Sequence, residues 1–73
     1  MAYDYSKLLG RIIEAYGKQS AFAKAMNMSE HTLSCKLNNN KGWKQQDIEK
    51  ACELLKIPQS EIGRYFFTII VHN

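Results

Sequence analysis

The stretch Gln19-Ser20-Ala21-Phe22-Ala23-Lys24-Ala25-Met26-Asn27-Met28-Ser29-Glu30-His31-Thr32-Leu33-Ser34 decides the fold. Phe22, Ala23 and Met26 recur at helical spacing and form the inner face of a helix from about Lys18 or Gln19 to Met26. Asn27 interrupts that pattern. After glycine, asparagine best tolerates the left-handed region, so a tight turn is predicted here. Met28 follows as an apolar anchor, and Ser29 is a good N-cap for a second helix, about Glu30 to Leu37. That helix turns Leu33 and Leu37 inward. Small Ala23 lets the two helices cross closely, with Phe22, Met28, Leu33 and Leu37 filling the space beneath. The outer face keeps Glu30, His31, Ser34, Cys35 and Asn38. Short or planar polar groups near a helix N-terminus are what a reader of the DNA major groove presents.

Upstream, Leu8, Leu9, Ile12, Ile13 and Tyr16 mark an amphipathic helix from about Tyr5 to Tyr16. Asp4 or Ser6 is placed to cap its start, and Gly17 to end it. Downstream, Asn38 to Gly42 is a polar loop, and Ile48, Ala51, Cys52 and Leu55 carry a helix from about Gln45 to Leu55. Asp47 sits favourably in its first turn. Pro58 fits the first turn of a short fifth helix, roughly Gln59 to Gly63. The tail from Tyr65 to His72 is rich in aromatic and β-branched residues, which predicts a C-terminal strand. The expected architecture is one mostly α domain over residues 1–73, with four to five helices and that short strand.

Seventy-three residues allow one domain, with a modest core and little stability to spare. Two cysteines, Cys35 and Cys52, supply no disulfide framework and no CxxC spacing, which points to reduced thiols in an intracellular protein. No N-terminal stretch has the order of a signal peptide, and no apolar run reaches the ~18 residues of a membrane span. Net charge is +3. From Gly17 to Lys44, five lysines (Lys18, Lys24, Lys36, Lys41 and Lys44) stand against the single acid Glu30, which concentrates the positive charge in one segment. Such a bias suits a polyanionic partner, or else a solvated lysine-rich surface.

The central stretch resembles the helix-turn-helix of the lambda-repressor-like superfamily. Gln19 opens the first helix, Phe22-Ala23 is the hydrophobic-Ala pair, Asn27-Met28-Ser29 the turn and Leu33-Ser34 the hydrophobic-Ser pair. Asn27 departs from the usual glycine. The opening Tyr3-Asp4-Tyr5-Ser6-Lys7-Leu8, the Leu37-Asn38-Asn39 run, Trp43-Lys44-Gln45 and the closing Tyr65-Phe66-Phe67 make the whole chain similar to small Cro-like phage regulators. The resemblance implies a transcriptional repressor in the cytoplasm of a bacterial host, occupying a double-stranded DNA operator. Its site would comprise Gln19 on a phosphate, with Glu30, His31, Ser34 and Cys35 on base edges. Ser29, Thr32 and Lys36 would lie along the same surface, and Asn38, Asn40 and Lys41 would meet the backbone beyond the helix. Glu30 either accepts from cytosine N4 or merely favours the helix N-terminus.

Other readings stand beside this one. A three-helix unit that docks a protein, such as an antirepressor or antitoxin-like regulator, needs the same apolar positions. His31 and Cys35, at i and i+4, face one way and make half of a metal site at most, so no metal or cofactor is expected. Trp43 either stacks on a sugar or base or, as expected here, covers the core edge. No Gly-rich phosphate loop or paired carboxylates suggest catalysis, and so short a chain offers little concave volume for a small-molecule ligand. One reading helix covers about half of a usual operator, so a two-fold homodimer is expected. Phe66, Phe67, Ile69, Ile70 and Val71 are the candidate interface. The tail strand needs a partner, either Ala2 to Asp4 of its own chain or, as expected, the same tail of a second copy.

Overall fold

A computed structural model describes residues 2–70. Leu8 and Ile12, one helical turn apart, draw the first amphipathic segment onto the core as α1 (Ser6–Tyr16). Asp4 accepts hydrogen bonds from the Ser6 hydroxyl and N–H, which hold its carboxyl below the usual carboxylate range. Gly17 ends the helix at φ 83°, a left-handed conformation, and returns its N–H to the Ile13 carbonyl. α2 (Gln19–Ala25) then buries Phe22 and Ala23. Asn27 takes φ 61° as its composition predicts. The Met28 N–H, donating to the Ala23 carbonyl at 3.0 Å, folds the chain back beneath α2.

α3 (Glu30–Leu37) begins where Ser29 accepts the Thr32 N–H at 3.0 Å. Leu33 is wholly buried, while Leu37 is half-buried and packs against the core edge. α4 (Gln45–Leu55) adds Ala51, Cys52 and Leu55 to the core, where burial pushes the Cys52 thiol up. It ends on Lys56 in the left-handed region at φ 55°, and the Arg11 Nε–H donates to the carbonyl of Leu55, the last residue of α4, at 3.0 Å. A lysine in that conformation carries no glycine-like signal in the sequence. The Arg11 bond ties the two helices together at the point where α4 runs out of intrahelical partners.

The C-terminal segment departs from expectation. A short 3-10 turn (Gln59–Glu61) leads into α5 (Ile62–Phe66), so Tyr65 and Phe66 are helical and not extended. Phe66 is 1% exposed and stacks edge-on against Trp43 at 5.2 Å between ring centres. β-propensity reflects packing more than backbone preference. Here a core position for Phe66 outweighs the aromatic and β-branched alternation. The expected tail strand is not formed among the described residues. What remains is an isolated antiparallel bridge between Tyr3 and Ile69, with Asp4 N–H on the Thr68 carbonyl at 2.7 Å and Ile70 N–H on the Ala2 carbonyl at 3.2 Å. The described part of the segment therefore pairs with the chain's own N-terminus, the intrachain alternative of the two partners. Val71 and His72, the end of the expected strand, lie outside the described residues.

The result is a small, mostly helical domain of five α-helices among the described residues. Its core gathers Leu8, Ile12, Phe22, Leu33, Leu55 and Phe66, one or two from each helix. Trp43 covers the edge of this core, as its loop position suggests.

Candidate docking face

α2, its turn and α3 form one exposed face, and the sequence explains how. Phe22 and Leu33 turn inward and bring the two helices together, leaving the polar positions of α3 outside. Glu30 and His31 are exposed at the start of α3, and Ser34 and Cys35 are half-buried one turn on. Cys35 Sγ lies 3.5 Å from His31 Nε2. The Asn38 amide donates to Ser34 Oγ at 3.3 Å and continues the row past the helix end. Ser29 and Thr32 hydrogen-bond to each other at the N-cap, so their polar groups are largely engaged in building the helix start.

Gln19, Ser34 and Asn38 are brought together. With Tyr3, Leu37 and Ile70 they line a cleft of about 320 Å³ between the start of α2, the end of α3 and the N-terminal segment. Asn40 and Lys41 are exposed beyond it. Their N–H groups both donate to the Cys35 carbonyl, at 2.8 and 3.2 Å, which sets the loop at the end of α3.

Lys36 is the exception among the expected surface residues. Its side chain is turned inward, and the residue is 6% exposed. The ammonium donates to the Gly42 carbonyl and to Asp47 Oδ2, both at 2.9 Å, and sits 5.7 Å from the centre of the Trp43 ring. Asp47 Oδ2 also accepts the Lys44 N–H at 3.1 Å. Burial raises the Asp47 carboxyl, but the hydrogen bonds from Lys36 and Lys44 and the charges of both lysines outweigh it, so it titrates below its ordinary value. Lys36 cannot reach a phosphate from there. The helical period, which puts position 36 beside Leu33 and Leu37, was the signal that it faces inward. Exposed positive charge on this face therefore comes from Lys18, Lys24, Lys41 and Lys44.

Two positions that sequence reasoning did not mark complete the site. Asn39, at φ 65°, accepts the Tyr3 N–H and donates to the Tyr3 carbonyl, both at 2.9 Å, so its amide acts as a strand partner for the N-terminal segment. Asp47 fixes the loop through Lys36. The Asn38-Asn39-Asn40 run offered a cue for left-handed backbone, but nothing local pointed to Tyr3, 36 positions away.

Of the expected interface residues in the tail, Phe66 belongs to the core. Phe67, Ile69 and Ile70 are exposed, and Val71 lies outside the described residues. No helix among the described residues is long and apolar enough to cross a membrane.

Fold and face together define a small, mostly helical domain with one polar, lysine-flanked helix turned to solvent. The chain belongs to the family described as "Protein of unknown function (DUF739)", whose model matches residues 1–69. Among solved structures it is similar to the solution structure of the modulator of repression (MOR) of the temperate bacteriophage TP901-1 from Lactococcus lactis. Sequence identity is 49% over 99% of this chain and 97% of that one, with a TM-score of 0.81. No curated protein matches it. These findings overturn the resemblance to Cro-like regulators of the lambda-repressor-like superfamily. The matched pattern, Phe22-Ala23, Asn27-Met28-Ser29 and Leu33-Ser34, records how two helices cross around a tight turn, and that packing is shared by chains of a different family.

Proposed function

We propose that this chain is a small phage or prophage regulator that works by docking on a repressor protein and changing what that repressor does, within the cytoplasm of the bacterial host. The observation that carries this reading is the 49% identity, end to end, with a protein titled a modulator of repression. The contact surface is assigned to the α2–α3 face. Its centre is mixed in character, with the acid Glu30 and the thiol Cys35 beside neutral Ser34 and half-buried Gln19. An acid at the helix start and a lysine withdrawn into an ion pair suit a protein surface better than a dense row of phosphates. No catalytic step and no small-molecule ligand belong to this proposal.

A second reading, direct contact with duplex DNA, is favoured by the exposed lysines Lys18, Lys24, Lys41 and Lys44 that flank α3. The test is to titrate the purified chain by calorimetry into a phage repressor, and separately into the operator duplex of that repressor. A complex with the repressor that weakens when Glu30, His31 or Ser34 is replaced is expected. Binding to the duplex alone, falling steeply with salt as counterions are released, and no heat with the repressor, would replace protein docking by DNA binding.

A further inference from the structure

We propose that the groove between the α2–α3 turn and the loop leading into α4 takes an acidic segment of a partner protein, a carboxylate beside a bulky apolar side chain. The inference rests on the reading of this chain as a protein-docking regulator, and names the chemistry that the partner brings. The groove has a volume of about 560 Å³, and its lining includes Met26, Met28, Lys36, Lys41, Lys44 and Asp47. That size falls within the ~300–1,000 Å³ of ordinary binding clefts.

Apolar contact comes from the two methionines. Met26 belongs to the core and Met28 is half-buried, and the left-handed Asn27 between them turns the chain so that both meet the groove. Methionine is unbranched and polarisable, so it repacks around an incoming side chain. The charge of the groove is one-sided. Lys36 and Asp47 spend their charges on each other at 2.9 Å, and the Lys36 ammonium also holds the Gly42 carbonyl, which fixes one wall. Lys41 and Lys44 are exposed, and among the described residues neither joins an ion pair. Two cations therefore remain at a concavity whose one acid is already engaged.

A carboxylate meets the two lysines, and an apolar neighbour on the same segment covers the methionines. Charges at the rim of such a contact set partner choice and speed of association more than they set affinity, while the apolar side chain supplies the buried area. A phosphate backbone would use the lysines and leave the methionines unfilled, so a protein segment is the better fit to this lining. The groove borders the α2–α3 face at Met28 and Thr32, and one partner can engage both.

The experiment is a nuclear magnetic resonance titration of the isotope-labelled full chain with a capped hexapeptide that alternates glutamate and leucine. The same peptide with lysine in place of glutamate, and a random-sequence duplex, run in parallel. Saturable shifts of the Met28, Lys41 and Gly42 amides with the acidic peptide alone are expected. The double variant Lys41→Glu, Lys44→Glu should weaken that binding by about tenfold or more, because like charges then face each other. Its circular dichroism should match the parent, as both positions are exposed. Met28→Ser should weaken it by about threefold or more through lost apolar contact. No shift at these amides with millimolar peptide, equal binding of the lysine peptide, or an affinity unchanged in the double variant would each overturn the proposal. A duplex that shifts the same amides and displaces the peptide would overturn it too, and make the groove a phosphate site. The peptide arm involves no repressor. Peptide binding here beside a repressor that gives no heat would sink the docking function and leave the groove standing, and the converse would sink the groove alone.

Discussion

Replacing Asp47 by Asn isolates the most consequential polar contact in the domain. The substitution keeps the size and one carbonyl oxygen, which still accepts the Lys44 N–H, but it removes the charge facing Lys36. The Lys36 side chain is 8% exposed, so its ammonium keeps only neutral partners, the retained oxygen, the Gly42 carbonyl and the Trp43 ring, with no charge opposite it. Removing one partner of a buried pair costs about 3–5 kcal/mol. Asp47 is itself 23% exposed, and the remaining neutral contacts soften the loss, so about 2–3 kcal/mol is expected. For a domain of this size that lowers the melting temperature by roughly 10–20 °C. The double variant Lys36→Met, Asp47→Asn should recover part of the loss, because no unpaired cation remains inside. The parent should also lose stability in acid. A carboxyl whose folded pKa is depressed contributes fully above its unfolded value near 3.8, and that contribution fades as pH falls through the folded value. The Asp47→Asn variant lacks this component, so its stability should fall less between pH 5 and 2. Urea melts across that range measure both effects. An Asp47→Asn variant within about 0.5 kcal/mol of the parent at pH 7 would show that the pair behaves as an exposed salt bridge and that Lys36 is not held inside.

The remaining predictions concern the scaffold. Leu33→Ala should cost about 2–5 kcal/mol in thermal or urea melts, since Leu33 is fully buried at the α2–α3 crossing; an unchanged melt would mean that α3 is rotated. At Asn27, with φ 61°, glycine should be tolerated while valine should destabilise by about 1–3 kcal/mol, and equal stability of the two variants would contradict the left-handed turn. Asn39→Ala should cost about 1–2 kcal/mol and raise the amide exchange of Tyr3 selectively; unaltered exchange there would remove the clamp.

The helical part of the fold was legible because each boundary has a local cause. Gly17, Asn27 and Ser29 act within a few residues of themselves, and α3 and α4 run over Glu30–Leu37 and Gln45–Leu55 as periodicity predicts. α1 and α2 differ from expectation only by one residue at an end or so. The tail was misread because its fate is decided at a distance. Phe66 is drawn into a helix by Trp43 and the α1 core, and the short extended piece after it finds Ala2 and Asp4 across the whole length of the chain. Of these partners, Ala2 to Asp4 was one of the two alternatives that an unpaired edge allowed, whereas nothing local announces Trp43. Lys56 illustrates the opposite blindness, a left-handed residue held by Cys52 and the end of α4 with no glycine to announce it.

The site was legible as a surface and illegible as a partner. Linear counting gives the Gly17 to Lys44 segment a surplus of lysine that looks built for phosphate, yet one of those lysines spends its charge on Asp47, an acid from the next helix. What the stretch from Gln19 to Ser34 specifies is a crossing of two helices and an outward row of polar groups. A duplex and a protein surface can both meet such a row, so apolar spacing carries no information about which of them does. That distinction lives in the outward residues themselves. Glu30, exposed at the helix start, disfavours phosphates. Replacing Glu30 by Gln therefore separates the alternatives. It should strengthen any contact with duplex DNA by relieving repulsion, and weaken a protein contact in which Glu30 has a basic partner. Parallel affinities for the repressor and for a random duplex, measured at two salt concentrations, decide between them. A Glu30→Gln variant that gains affinity for DNA and keeps all of its affinity for the repressor would remove Glu30 from the docking surface.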